Sequence, residues 1–268
     1  MAVTDVPTGP LVRGHDEGAV RVLTLNRPER HNALVPELLE QARTEVARAA
    51  GSTEVRVLLL EAAGPSFSTG GDVAGFARHT GSALGDYARR TVGELHALVM
   101  DLLRLEVPVV VAVDGPVTGG SLGLVLAGDV VVASPRAWFA PYYARVGFSP
   151  DGGWTALLPE VVGERRALAW QLLDERVVAD TALAWGLVTH LADDPRGRAR
   201  ELATRVAGLR RGALARTKRL VRGDLASVQE RLDRELESFL DQVTTEEAAG
   251  GMRDFLGSRK RTEERSEP

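Results

Sequence analysis

The sequence predicts an α/β fold in which a largely parallel sheet is wound with helical crossovers and followed by a wholly helical region. Three observations carry this. Short β-branched runs alternate with helical stretches as far as residue 191. Residues 195–256 hold no strand signal and four stretches of helical periodicity. Two glycine-rich turns, Phe67-Ser68-Thr69-Gly70-Gly71-Asp72 and Asp114-Gly115-Pro116-Val117-Thr118-Gly119-Gly120-Ser121-Leu122-Gly123, each follow an apolar run that reads as a buried strand.

Taken in order, residues 1–18 carry neither the basic start nor the apolar stretch of a signal peptide, and they are expected to be disordered. Strands are expected at 20–25, 55–61, 109–114, 130–133 and 188–190. Pro36 suits the first turn of a helix whose apolar spacing runs through 38–50. A longer helix is expected over 87–105, ended before Pro108. A boundary near Asp194 divides an α/β core, 19–194, from a C-terminal helical region, 195–268, with breaks near Gly212, Gly223 and Thr244. In that region Leu225, Val228, Leu232, Leu236 and Phe239 form an apolar stripe, which packs either on the chain's own core or on another subunit.

Composition excludes several function classes. With 44% hydrophobic and 26% charged residues the chain reads as an ordinary globular protein. A net charge of −4 without a basic face argues against nucleic acid as a partner. No apolar run approaches the roughly 20 residues of a membrane span. The absence of cysteine removes disulfides, thiol nucleophiles and cysteine-held metals, and it fits a reducing, cytoplasmic setting. The five histidines show no metal-ligand spacing, so no metal is expected.

The chemistry is expected at the glycine turns. Glycine lets a backbone approach a ligand without a Cβ in the way, and two such turns can aim two amides at one oxygen, which is what an oxyanion needs. The helix that opens at Ser121 adds its positive end beside Gly120. Neither turn continues as a phosphate-binding Gly-Lys-Ser/Thr, and no Gly-x-Gly-x-x-Gly opens a helix near the N-terminus. Residues 119–123 do match Gly-x-Ser-x-Gly, so a serine hydrolase acting through Ser121 is a reading from another class. Against it, five residues separate the motif from its strand, and only His190 follows as a base.

Beyond these turns the chain resembles the crotonase, or enoyl-CoA hydratase/isomerase, superfamily along nearly its whole length. Leu25-Asn26-Arg27-Pro28-Glu29-Arg30-His31-Asn32-Ala33-Leu34 resembles the family's N-terminal CoA-contacting segment. The two glycine turns match its oxyanion loops, and Gly147-Phe148-Ser149-Pro150-Asp151-Gly152-Gly153 matches the active-site turn that follows. Leu158-Pro159-Glu160-Val161-Val162-Gly163, Ala184-Trp185-Gly186-Leu187-Val188 and a C-terminal stretch from Phe255 match later segments in the right order.

The resemblance implies a spiral of β-β-α units with C-terminal helices that build homotrimers or hexamers. It implies an acyl thioester of CoA, or of a carrier protein, as substrate, and no cofactor beyond CoA itself. Gly71 and Gly120 would hold the thioester oxygen. Arg27, Arg30, His31, Ala33, Ser68, Gly70, Phe255 and Lys260 would contact CoA, the cations serving its phosphates. The two glutamates of the family's hydratases would fall at Gly123 and Tyr143, where neither residue can act as a carboxylate. Asp151 is the carboxylate left in place, and family branches similar to this chain use an aspartate there in two ways. In the epoxide isomerase of phenylacetyl-CoA breakdown it would move a proton. In 4-chlorobenzoyl-CoA dehalogenase it would be a nucleophile, beside a tryptophan where Tyr143 stands and with a partner histidine near His96. Tyr142, Tyr143, Phe148 and Trp154 would line the acyl pocket. The leading expectation is therefore an acyl-CoA isomerase with Asp151 as acid/base. The alternatives are a hydratase or other lyase using Asp151 with a water, the serine hydrolase, and a thioester-binding protein without activity.

Overall fold

The computed structural model describes residues 9–264, with side chains through residue 258. Its strands are β1 (Val12–Glu17), β2 (Val20–Leu25), β3 (Val57–Ala62), β4 (Val109–Val113), β5 (Pro116–Thr118), β6 (Val130–Ala133), β7 (Trp138–Ala140), β8 (Val177–Val178) and β9 (His190–Leu191). Its α-helices are α1 (Pro36–Gly51), α2 (Val73–Ala77), α3 (Gly81–Arg104), α4 (Leu122–Leu126), α5 (Tyr143–Val146), α6 (Leu158–Val162), α7 (Glu164–Leu173), α8 (Ala179–Ala184), α9 (Pro195–Ala207), α10 (Arg211–Arg222), α11 (Leu225–Val243) and α12 (Glu246–Glu264).

Six strands form one sheet in the order β1-β2-β3-β4-β6-β9, antiparallel at β1–β2 and parallel elsewhere. Both of its faces are covered, as parallel sheets require. Leu58 and Leu60 of β3 face the larger core, which includes residues of α1 and α3, whereas Val57 and Leu59 face Ala199, Leu202 and Ala203 of α9. That two-sided burial explains why β3 and β4 read as unbroken apolar runs. A second sheet, in the order β5-β7-β8, stands beyond the ends of β4 and β6. No helix among the described residues is long and apolar enough to cross a membrane.

Several expectations need correction. Residues 12–17, within the stretch expected to be disordered, form β1 and pair along their whole length with β2. Polar side chains on an edge strand hid it, since only one of its faces needs the core. The strands β5, β7 and β8 are two or three residues long, too short for any alternation to register. Residue 194 is a helix cap rather than a domain edge: Asp194 accepts the Gly197 amide at 3.0 Å, and the helix it starts packs on the main sheet. The break expected near Gly212 lies at 208–210, and Gly212 is inside α10.

Candidate active site

Neighbouring parallel strands β3 and β4, in register as Leu58 with Val109, leave the sheet side by side, and the two glycine loops leave with them. The loops are then zipped together. Ser68 bridges Val117; its amide donates to the Pro116 carbonyl at 3.2 Å, and the Thr118 amide donates to the Ser68 carbonyl at 3.1 Å. Gly70 makes the approach possible. Its φ is +77°, and a Cβ on it would lie 2.6 Å from the Thr118 carbonyl oxygen. Gly71 and Gly120 line one cleft, of about 610 Å³ including its open mouth. Neither amide enters a loop or turn hydrogen bond among the described residues. Gly120 stands just before α4, where helix-start amides lack internal partners.

Asp151 is the one carboxylate among the cleft's described lining residues. It is 7% exposed, and its Oδ1 would lie 2.7 Å from a Cβ placed on Gly120, so the carboxylate sits directly against the second glycine loop. The Tyr143 phenol donates to Oδ1 and also lies 3.0 Å from the Asp151 carbonyl oxygen. Burial pushes the Asp151 carboxyl up to about 6 and the Glu235 charge adds to the rise, while the hydrogen bond from the Tyr143 phenol pulls the other way. Burial, and then the neighbouring Asp151 charge, hold the Tyr143 phenol well above its ordinary range. A carboxyl near 6 beside unengaged amides can give and take a proton at neutral pH.

The turn that carries Asp151 is held from outside. The Gly152 amide donates to His96 Nε2 on α3 at 3.0 Å. The Glu235 carboxylate on α11 accepts the amides of Gly153 (2.8 Å), Thr155 (2.7 Å) and Ala156 (2.9 Å). It also accepts the Thr155 hydroxyl at 2.7 Å. The apolar stripe gave this position no part, yet Glu235 is 3% exposed. A signal was present: Glu235 falls three residues after Leu232 and four before Phe239, a charge on a buried helical face.

The remaining wall is apolar and aromatic, with Phe76, Tyr142, Phe148, Phe239 and Phe255 around the cleft. Tyr142 is left-handed, φ 57°; its amide donates to Asp174 at 2.9 Å and its hydroxyl accepts from Arg176 at 2.8 Å. Trp154, expected in the acyl pocket, is instead fully buried behind it. Its indole N–H donates to the Gly119 carbonyl at 2.8 Å and so braces the second glycine loop. Ser121 is not placed as a nucleophile. It is fully buried, and its hydroxyl is engaged by the carbonyls of Ser68 (2.9 Å) and Thr118 (2.8 Å).

The N-terminal segment meets the same loops. Arg27 donates to the Ala33 carbonyl at 2.9 Å and to Asp72 at 3.1 Å, with its side chain largely buried. Arg30 lies 3.5 Å from Asp72 with its side chain 44% exposed, which leaves Arg30 rather than Arg27 able to meet a phosphate. Burial disfavours the Asp72 charge, but Arg27 and Arg30 outweigh it and hold this carboxyl below its ordinary value. Asp72 also caps α2 through the Gly75 amide at 3.2 Å. His31 Nδ1 lies 2.9 Å from the Ser66 hydroxyl. The Ser68 hydroxyl is buried on the Asn32 carbonyl at 2.8 Å, which makes it a brace for the segment. The Lys260 side chain lies outside the described residues.

Comparison with known proteins identifies the family. Residues 15–264 match the family model described as enoyl-CoA hydratase/isomerase. A 1,2-epoxyphenylacetyl-CoA isomerase of Escherichia coli (strain K12) is 34% identical over 68% of this chain and 70% of its own length. A 4-chlorobenzoyl coenzyme A dehalogenase of an Arthrobacter species is 32% identical over 72% of this chain and 70% of its own. Among solved structures, an enoyl-CoA hydratase/isomerase from Mycobacterium paratuberculosis superimposes with a TM-score of 0.86 at 28% identity, covering 92% of this chain and 98% of that one. The chain is an enzyme of the enoyl-CoA hydratase/isomerase, or crotonase, superfamily.

Proposed function

We propose that this enzyme is an acyl-CoA isomerase in which Asp151 carries a proton between two positions of the acyl group. The observation that carries the reading is the placement of one buried carboxylate, raised to about 6, against Gly120. In the proposed step the thioester oxygen accepts the amides of Gly71 and Gly120. The Asp151 carboxylate takes a proton from the carbon beside that carbonyl, and the electron pair moves onto the oxygen. In an unsaturated acyl group the enolate's electron pair then passes through the conjugated double bond, which shifts by one position as Asp151 returns the proton to the far carbon; in an epoxidised one the pair expels the epoxide oxygen, whose C–O bond breaks as Asp151 protonates it. Each oxyanion amide contributes on the order of 3–4 kcal/mol to the charged transition state. The apolar aromatic wall suits an unsaturated or aromatic acyl group. Arg30, His31 and Phe255 are assigned to CoA, with Lys260 from the C-terminal end, and Arg27, Ala33, Ser68 and Gly70 are assigned to shaping that surface. Assembly into trimers or hexamers belongs to the same reading.

Addition of water by a glutamate pair is disfavoured. A Cβ on residue 123 would lie 2.2 Å from the Gly152 carbonyl oxygen, and Tyr143 occupies the other position. Nucleophilic use of Asp151 with His96 as base is disfavoured as well, because His96 Nε2 already accepts the Gly152 amide.

The test is incubation in D2O with a panel of unsaturated, aromatic and epoxidised acyl-CoAs, read by mass spectrometry, for the wild type and Asp151→Asn. The reading expects deuterium at carbon without gain of water, lost in Asp151→Asn with thioester binding kept. Net addition of water would make the enzyme a lyase. A thioester bound but unchanged would leave a binding protein. An Asp151→Asn variant at full rate would remove Asp151 from the chemistry.

A further inference from the structure

The turn at residues 151–156 has almost no hydrogen bonds of its own. Within it, only the Trp154 amide finds a main-chain partner, the Asp151 carbonyl at 3.4 Å. The other four amides that follow Asp151 are taken by two side chains. His96 accepts Gly152, and Glu235 accepts Gly153, Thr155 and Ala156 at 2.7 to 2.9 Å. Buried amides without acceptors are costly, so the turn keeps this path only while those acceptors stand. Glu235 lies about eighty residues along the chain, on a helix that supplies neither oxyanion loop.

We infer that Glu235 is a positioning residue, whose carboxylate fixes the turn and thereby sets where the Asp151 carboxylate sits against Gly120. The inference rests on Asp151 as the proton carrier. A neutral side chain of the same shape cannot replace Glu235. A carboxamide offers one accepting oxygen and one donating NH2, and here both oxygens face donors. The Glu235 charge also acts on Asp151 directly. The groups facing Asp151 are Tyr143 from α5, His96 from α3 and Glu235 from α11, and of these Glu235 is the one that favours the protonated form. Burial opposes the charge on Glu235 itself, but the hydrogen bonds it accepts from the Gly153 amide and the Thr155 hydroxyl favour that charge, and this carboxyl lies below its ordinary value. Glu235 therefore stays ionised through the range in which Asp151 titrates.

The experiment uses phenylacetyl-CoA as probe and follows exchange of its α-protons with D2O by NMR in the full-length wild type, Glu235→Gln and Glu235→Asp. In parallel, the Asp151 carboxyl is titrated by 13C NMR and assigned with Asp151→Asn. Glu235→Gln is expected to exchange at least tenfold more slowly at saturating probe, with KM changed less than twofold, and its Asp151 midpoint is expected to fall below the wild-type value near 6. Glu235→Asp keeps the charge but shortens the reach. It is expected to keep the midpoint while still losing rate, and it carries the test if Glu235→Gln does not fold. A Glu235→Gln variant with wild-type exchange, one whose rate falls while the Asp151 midpoint stays fixed, or a Glu235→Asp variant at full rate would overturn the inference. If the wild type exchanges no protons, the functional reading fails separately, and the midpoint alone decides the role of Glu235.

Discussion

Replacing Asp151 with asparagine should stabilise the protein, and by an amount that depends on pH. The carboxyl is raised from 3.8 to about 6 by burial. The folded state therefore holds the proton longer than the unfolded chain does. Below about pH 4 both states are protonated and the group contributes nothing. Between about 4 and 6 folding takes up a proton, so stability falls as pH rises, and above 6 the full cost of a buried charge is present. At 1.36 kcal/mol per tenfold change in proton affinity that cost is about 3 kcal/mol. Asparagine keeps the shape and can still accept the Tyr143 hydroxyl, but it carries no charge. Urea unfolding of both proteins from pH 4.5 to 8 should show Asp151→Asn gaining little at the acid end and about 2–3 kcal/mol at pH 8. A gain of the same size at every pH, or a loss at pH 8, would show that Asp151 is not a charge held at a cost.

Two shorter predictions use the same contacts. Tyr143→Phe removes the phenol that favours the ionised carboxylate, so the Asp151 midpoint should rise above about 6 and the acid limb of the pH–rate profile should move with it; a profile that stays in place would detach Tyr143 from the carboxylate. Gly123→Ala places a methyl 2.2 Å from the Gly152 carbonyl oxygen, so thermal unfolding should show a loss of roughly 1–3 kcal/mol, with proton exchange falling as the turn shifts.

What the sequence made legible is what depends on local chemistry or on one periodicity. The unbroken apolar runs of β3 and β4 announced buried strands, and the structure covers them on both faces; the glycines of 70–71 and 119–120 announced two turns, which the structure brings together to line one cleft. Asp151 was legible as a carboxylate among aromatics. Trp154 was misplaced because adjacency in the chain does not say which way a turn faces; its indole points behind the loop, to Gly119. Glu235 was hidden for the opposite reason. Its partners lie at 153–156, and a contact across that separation leaves no mark on either segment except a charge in an apolar stripe.

The glycine at 123, a departure from the hydratases this chain resembles, and the aspartate at 151 are tied by one packing event. The turn seats its backbone against the second glycine loop so closely that a Cβ on Gly152 would lie 2.5 Å from the Gly120 carbonyl oxygen. That same seating puts the Gly152 carbonyl where any side chain on residue 123 would begin, and it puts the Asp151 Oδ1 beside Gly120. A carboxylate reaching the cleft from residue 123 and one reaching it from this turn therefore exclude each other sterically. Moving the acid to the turn also changes what holds it. A residue on α4 is fixed by its own helix, whereas Asp151 is fixed by acceptors from α3 and α11 and by the phenol of α5. The ionisation and placement of the proposed proton carrier thus become properties of how distant helices pack, and it is there that substitutions remote from the cleft should alter the chemistry.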